Sequence, residues 1–169
     1  EGDGYSKEWE KEAQRRKLSN NKTTPHALQV LTSKESLDLF KSMNVLSEVE
    51  VTARQEVELE AYILQIQIEG RVFNEIVNNL IIPATVEYQN TLIKNVQGLK
   101  DIYGAAHKKF SEGQLALIEK IAEHLSEIKN KSDAMIQARK NANAITDINK
   151  KAFAYCDDVR PYFEEIRYH

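Results

Sequence analysis

From Ser47 almost to the C-terminus, apolar residues recur at steps of three and four, and this ladder allows little besides long amphipathic helices. Val57, Ala61, Leu64, Ile68, Val72, Ile76 and Leu80 make one row, and Ile63, Ile66, Gly70, Phe73 and Val77 make a second beside it. Together they predict a broad apolar face on a heavily packed central helix. A following helix carries Gln89, Leu92, Val96, Leu99, Tyr103 and Ala106. Further on, Ile118, Ile121, Leu125, Ile128, Ser132, Met135, Arg139 and Ala142 alternate steps of three and four, as antiparallel helical packing requires. After a phase slip the rhythm resumes at Ile145, Ile148, Ala152, Tyr155, Val159, Tyr162 and Ile166. Alternation of period two occurs only at Leu64, Ile66 and Ile68, inside the helical ladder. The expected class is all-α: an antiparallel helical bundle with long central helices, preceded by short N-terminal helices.

The ladder is punctuated. Ser47-Glu48-Val49-Glu50 is a capping box in which serine and glutamate satisfy each other's free amides, so the central helix is predicted to open there. Pro83 lacks an amide hydrogen and disfavours helical geometry at Ile82, which predicts an end or kink; Pro161 predicts the same for the last helix. Ser111-Glu112-Gly113-Gln114 reads as a second box opening another long helix. Before the ladder lie short units: a Gly2-Asp3-Gly4 turn, and a helix capped by Ser6 with Tyr5, Trp9 and Ala13 on one face, ending near Lys17. Then come a helix from His26 to Leu31 opened by Thr24-Pro25, and one capped by Ser33. The predicted division is residues 1–46, short helices, and residues 47–169, a long-helix bundle.

Charge restricts the partners. Asp and Glu number 26 against 23 Lys and Arg, a net charge of -3 that offers no basic field, so neither nucleic acid nor a membrane surface is an expected partner. Polar residues interrupt every apolar stretch before it reaches bilayer-spanning length. The single cysteine, Cys156, cannot form an internal disulfide, which fits a cytoplasmic location. Glu1 follows no methionine and Tyr168-His169 carries no helix stop signal, so the chain reads as a piece of a longer polypeptide.

The sequence carries no catalytic pattern at the spacings such chemistry needs. A di-iron bundle needs Glu-x-x-His pairs, and no glutamate here has a histidine three residues on; His26, His107, His124 and His169 are dispersed. Cys156 stands beside Asp157 and Asp158, which disfavour a thiolate, so an inert core or boundary thiol is expected. Glu56, Glu58, Glu60 and Glu69 with Arg54 and Arg71 read as surface ion pairs, such as Arg54 with Glu58. No catalytic, cofactor-binding or metal-ligating residue is assigned.

Read in order, Glu1-Gly2-Asp3-Gly4-Tyr5-Ser6-Lys7-Glu8-Trp9, Arg15-Arg16-Lys17-Leu18 and Lys22-Thr23-Thr24-Pro25-His26-Ala27-Leu28 resemble one stretch of type III glutamine synthetase, near its C-terminal end. The resemblance continues through Glu58-Leu59-Glu60-Ala61-Tyr62, Ile68-Glu69-Gly70-Arg71, Ile82-Pro83-Ala84 and Val159-Arg160-Pro161. It implies a parent enzyme that joins ammonia to L-glutamate with ATP, using Mg2+ or Mn2+ held by carboxylates of an α/β catalytic domain upstream of the matched stretch. Residues 1–46 would then be the tail of the catalytic region or a linker, and residues 47–169 a helical C-terminal extension. The implied partners are the remainder of the same polypeptide and sister subunits, in a dodecamer of two stacked hexameric rings. The implied role is non-catalytic, scaffold or oligomer contact, with the fragment alone inactive; an independent helical protein-interaction module is the alternative. Gly70 departs from the alanine expected of the family, at a cost of roughly 1 kcal/mol in a helix interior unless close packing excludes a methyl group.

Overall fold

Every regular element is a helix. Residue 4 and residues 6–169 are described by a computed structural model, and no strand occurs among them. The Gly2-Asp3-Gly4 turn and Tyr5 fall wholly or partly outside the described residues. Close backbone contacts divide the chain into two compact units, Glu1–Tyr62 and Ile63–His169.

In the first unit, α1 spans Lys7–Arg15, with the Ser6 hydroxyl accepting from the Trp9 amide. It closes through Lys17 at φ 54°, where the Leu18 amide donates back to the Ala13 carbonyl. α2 spans Thr24–Gln29, so the extended cap residue is Thr23, one position before the threonine expected, and Pro25 is buried in the first turn. One tight 3-10 turn, Val30–Thr32, leads to α3, Lys34–Ser42, capped as expected by Ser33. α3 ends at Asn44, φ 54°, a residue type that tolerates this left-handed geometry. α4, Glu48–Ile76, opens on the expected box: the Ser47 amide donates to Glu50 Oε2 at 2.8 Å and the Glu50 amide to Ser47 Oγ at 3.4 Å. This backbone bond holds the Glu50 carboxyl below its ordinary range, helped by the Ser47 hydroxyl and by the charge of Arg54. Arg54 thus acts toward Glu50, one turn before it, whereas the sequence suggested Glu58. Gln55, buried, donates to the Leu28 carbonyl at 2.9 Å and to Thr32 Oγ1 at 3.0 Å, tying α4 to the short helices.

The second unit is built on one register. After α4 comes a π turn, Val77–Ile81, and then α5, Ile82–Tyr103. Pro83 neither ends the helix nor breaks its direction into a loop: Ile82 stays helical at φ -58°, ψ -51°, and its amide reaches Val77 O, five residues back. Widening the turn just ahead of the proline accommodates the ring and the donor it lacks. The same device recurs before Pro161, where α7, Ile148–Ala154, passes through a π turn, Tyr155–Val159, into α8, Pro161–Tyr168. Here the Arg160 amide reaches Tyr155 O at 3.0 Å.

α6, Lys108–Asn143, lies antiparallel to α4 and α5: Gly70 meets Arg139, Asn74 meets Ser132, Gln89 bonds to Ile118 and Asn95 to Gln114. Its predicted seam is inside, with Ile128, Ser132, Met135 and Ala142 buried. The Ser111 box is not a helix start. α6 is already running at Lys108, Ser111 is buried with its hydroxyl bonded to the His107 carbonyl at 3.0 Å, and Gln114 accepts from Asn95 instead. The predicted phase slip is a real break, where α6 stops at Asn143 and Asp147 caps α7 through the Lys150 amide at 2.8 Å. α8 returns along α6, with Lys131 Nζ bonded to Glu165 Oε2 at 2.8 Å, which raises the lysine pKa.

A candidate interaction surface on α4

The two apolar rows of α4 have different fates. Ile63, Ile66, Gly70 and Val77 are buried, as expected, and Gly70 faces Phe163 of α8 and Arg139 of α6. Leu64, Ile68, Val72, Ile76 and Leu80 are not: between 38% and 64% of each stays exposed, and the predicted heavily packed central helix is covered on one side only. The physical reason is width. Neighbours on one side can cover an arc of a helix, and a row displaced around the cylinder from that arc stays outside it.

Beside the open row runs a groove of about 470 Å³ between α4 and α8, with Ile68, Val72 and Ile76 along one wall. Phe73 and Phe163 form its floor, edge to face with centroids 5.7 Å apart, and Glu69 and Arg167 stand on its rim. Its lining is apolar apart from those two charges.

Polar groups elsewhere serve the fold. Asn74 Oδ1 accepts from buried Ser132 at 2.9 Å and from Asn78 Nδ2 at 3.0 Å, an inter-helix bond in the middle of the apolar seam. Tyr155 is fully buried with its hydroxyl unpartnered, and burial raises its pKa against the opposing pull of Arg139 and Arg71. Cys156 is buried, as the sequence suggested. The histidines are less dispersed than they read: His124 and His169 approach at 3.0 Å between their Nδ1 atoms. Among the described residues no three His, Cys, Asp or Glu side chains come together as metal ligands, and no helix is long and apolar enough to cross a membrane.

The sequence model of the glutamine synthetase C-terminal domain matches residues 1–100. The chain belongs to that family. As a glutamine synthetase C-terminal domain it is similar over its full length to the glutamine synthetase of Bacteroides fragilis, with 41% identity over 170 residues, covering 23% of that protein. It is also similar to the type-3 glutamine synthetase of Dictyostelium discoideum, 29% identical over 98% of this chain and 24% of the relative. The glutamine synthetase of Butyrivibrio fibrisolvens is 27% identical over 98% of this chain and 23% of its own length. This domain therefore spans about a quarter of the length of the curated relatives it matches.

Proposed function

We propose that this chain is the non-catalytic helical C-terminal portion of a type III glutamine synthetase, acting as scaffold or subunit contact for a cytoplasmic enzyme that joins ammonia to L-glutamate at the expense of ATP. The observation that carries the reading is the match itself: relatives named as glutamine synthetases, one of them type-3, align with all or nearly all of this chain and continue far outside it. In this reading residues 1–46 are the tail of the catalytic region or a linker, and residues 47–169 the helical extension. ATP and a divalent metal belong to the parent enzyme. Among the described residues no three His, Cys, Asp or Glu side chains converge, and no catalytic step is routed through the carboxylates of this chain. The half-covered α4 suits a part that packs against something larger, because an aliphatic row left in water gains free energy on burial.

The test compares the full-length enzyme with a version cut after Leu46. Loss of native oligomer size, with the isolated chain showing no ATP-dependent glutamine formation, is the expected result. Turnover by the isolated chain, or unchanged assembly of the truncated enzyme, would overturn the reading.

A further inference from the structure

We propose that His124 and His169 form a binding site for a transition-metal dication of the imidazole-preferring kind, Zn2+, Cu2+ or Ni2+, joining α6 to the end of α8. The two residues lie 45 positions apart in sequence, yet their Nδ1 atoms stand 3.0 Å from each other, with the ring planes at 59°. Two imidazole nitrogens approach this closely only with a hydrogen or a metal ion between them. Imidazole nitrogens bind such metals at about 2.0–2.1 Å, so two in neighbouring coordination positions stand about 2.9–3.4 Å apart. The observed separation lies within that range. Both rings are held in place by contacts of the fold. The His169 amide donates to the carbonyl of buried Ile166 at 3.2 Å, and the bond from Lys131 to Glu165 fixes α8 on α6 two turns from His124.

The surroundings favour the metal over a shared hydrogen. A cavity of about 620 Å³ opens on the pair, lined by Glu123 and Glu127 as well as the two rings, and among the described residues its lining includes no lysine or arginine. Glu127 follows His124 by three residues and so shares its side of α6. These carboxylates do not converge with the rings, so waters complete the coordination and the glutamates supply negative charge around them. A hydrogen bond between two neutral rings gains little from such a field, whereas a dication gains much. Arg167 stands on the other side, in a second cavity that both histidines also line, and faces Glu164 at 3.7 Å. Mg2+ and Ca2+, which take oxygen ligands, are not the expected occupants.

Calorimetric titration of this chain with Zn2+ alone tests the site. One ion should bind per chain and raise the thermal midpoint, and Mg2+ at the same concentration should do neither. His124→Ala and His169→Ala should each weaken Zn2+ binding about tenfold or more with helicity unchanged, because one remaining imidazole cannot chelate. Both side chains reach the surface, so neither substitution empties the core. His107→Ala, which removes an imidazole bonded to the Gly104 carbonyl and remote in sequence from the pair, should leave the affinity as it was. Cu2+ bound to the chain should show electron-spin coupling to two imidazole nitrogens, reduced to one in either single variant. No binding of Zn2+ overturns the proposal and leaves the pair as a hydrogen bond between rings. Binding that survives both histidine substitutions, or that falls equally with His107→Ala, marks an adventitious ion only and overturns it as well.

Discussion

Single residues carry more of this structure than their types announce. Gly70 is buried at the crossing of α4 with α6 and α8, yet a methyl group placed there would sit 3.8 Å from the Phe163 ring and 3.9 Å from Arg139 Cδ, ordinary contact distances. Packing therefore does not demand glycine. Gly70→Ala should stabilise the second unit by about 0.5–1 kcal/mol through restored helix propensity, read as a higher urea midpoint with an unchanged slope. A lower midpoint would mean that contact at 3.8 Å already crowds the helices. Tyr155 makes a second case. Its raised pKa means that the folded state favours the neutral phenol, so its stabilising contribution is complete below the ordinary value of 10.0 and is lost as pH rises through the higher folded value. Alkaline unfolding of the native chain, read by loss of helicity, should have a limb set by ionisation of Tyr155. Tyr155→Phe, which also removes a buried hydroxyl without a partner, should shift that unfolding to higher pH; an unshifted alkaline limb would remove Tyr155 as its cause.

Among the elements, periodicity exposed some features and hid others. The α6 seam was legible because Ile118, Ile121, Leu125, Ile128, Met135 and Ala142 keep one phase along the helix, and the structure buries three of them. Asn74 and Ser132 were not legible as a pair, since a polar seam position looks like a flaw until its partner is placed opposite. On α4 both rows are aliphatic, and spacing alone says which residues share a face without saying which face a neighbour covers. The Ser111 box failed for a related reason: the four-residue pattern is the same inside a helix as at its start. Asp147 shows the converse, an aspartate just ahead of Ile148 that is an ordinary cap signal and does cap a helix. The α5–α6 connection rests on Gly104, at φ 55° and ψ -128°, where side chains are strained even though the surrounding space is open. Gly104→Ala should cost about 1–3 kcal/mol without altering the packed interior. Thermal unfolding with and without the substitution checks this, and an unchanged midpoint would place the strain elsewhere.

For the molecule as a whole, the candidate surface is a consequence of incomplete cover. The family match and the helical class agree with what the residues suggested, while the open side of α4 could be found only by placing its neighbours. The open side also gives the two π turns a meaning beyond tolerating proline. Each holds one extra residue in a helix without interrupting it, so everything downstream is turned back by about 100° and set back by about 1.5 Å relative to an uninterrupted helix of the same sequence. Deleting Asn79 should convert the first turn to ordinary helix and leave Leu92, Val96 and Leu99 facing as before, lowering cooperativity of unfolding less than the deletion of an exposed residue in mid-α5, where no widened turn absorbs the change. Equal tolerance of both deletions would refute this. The widened turns are thus the places where these helices tolerate a change of length: a family member lacking one residue near either proline would carry its downstream side chains on the same side, and one that lost a residue elsewhere in the helix would not.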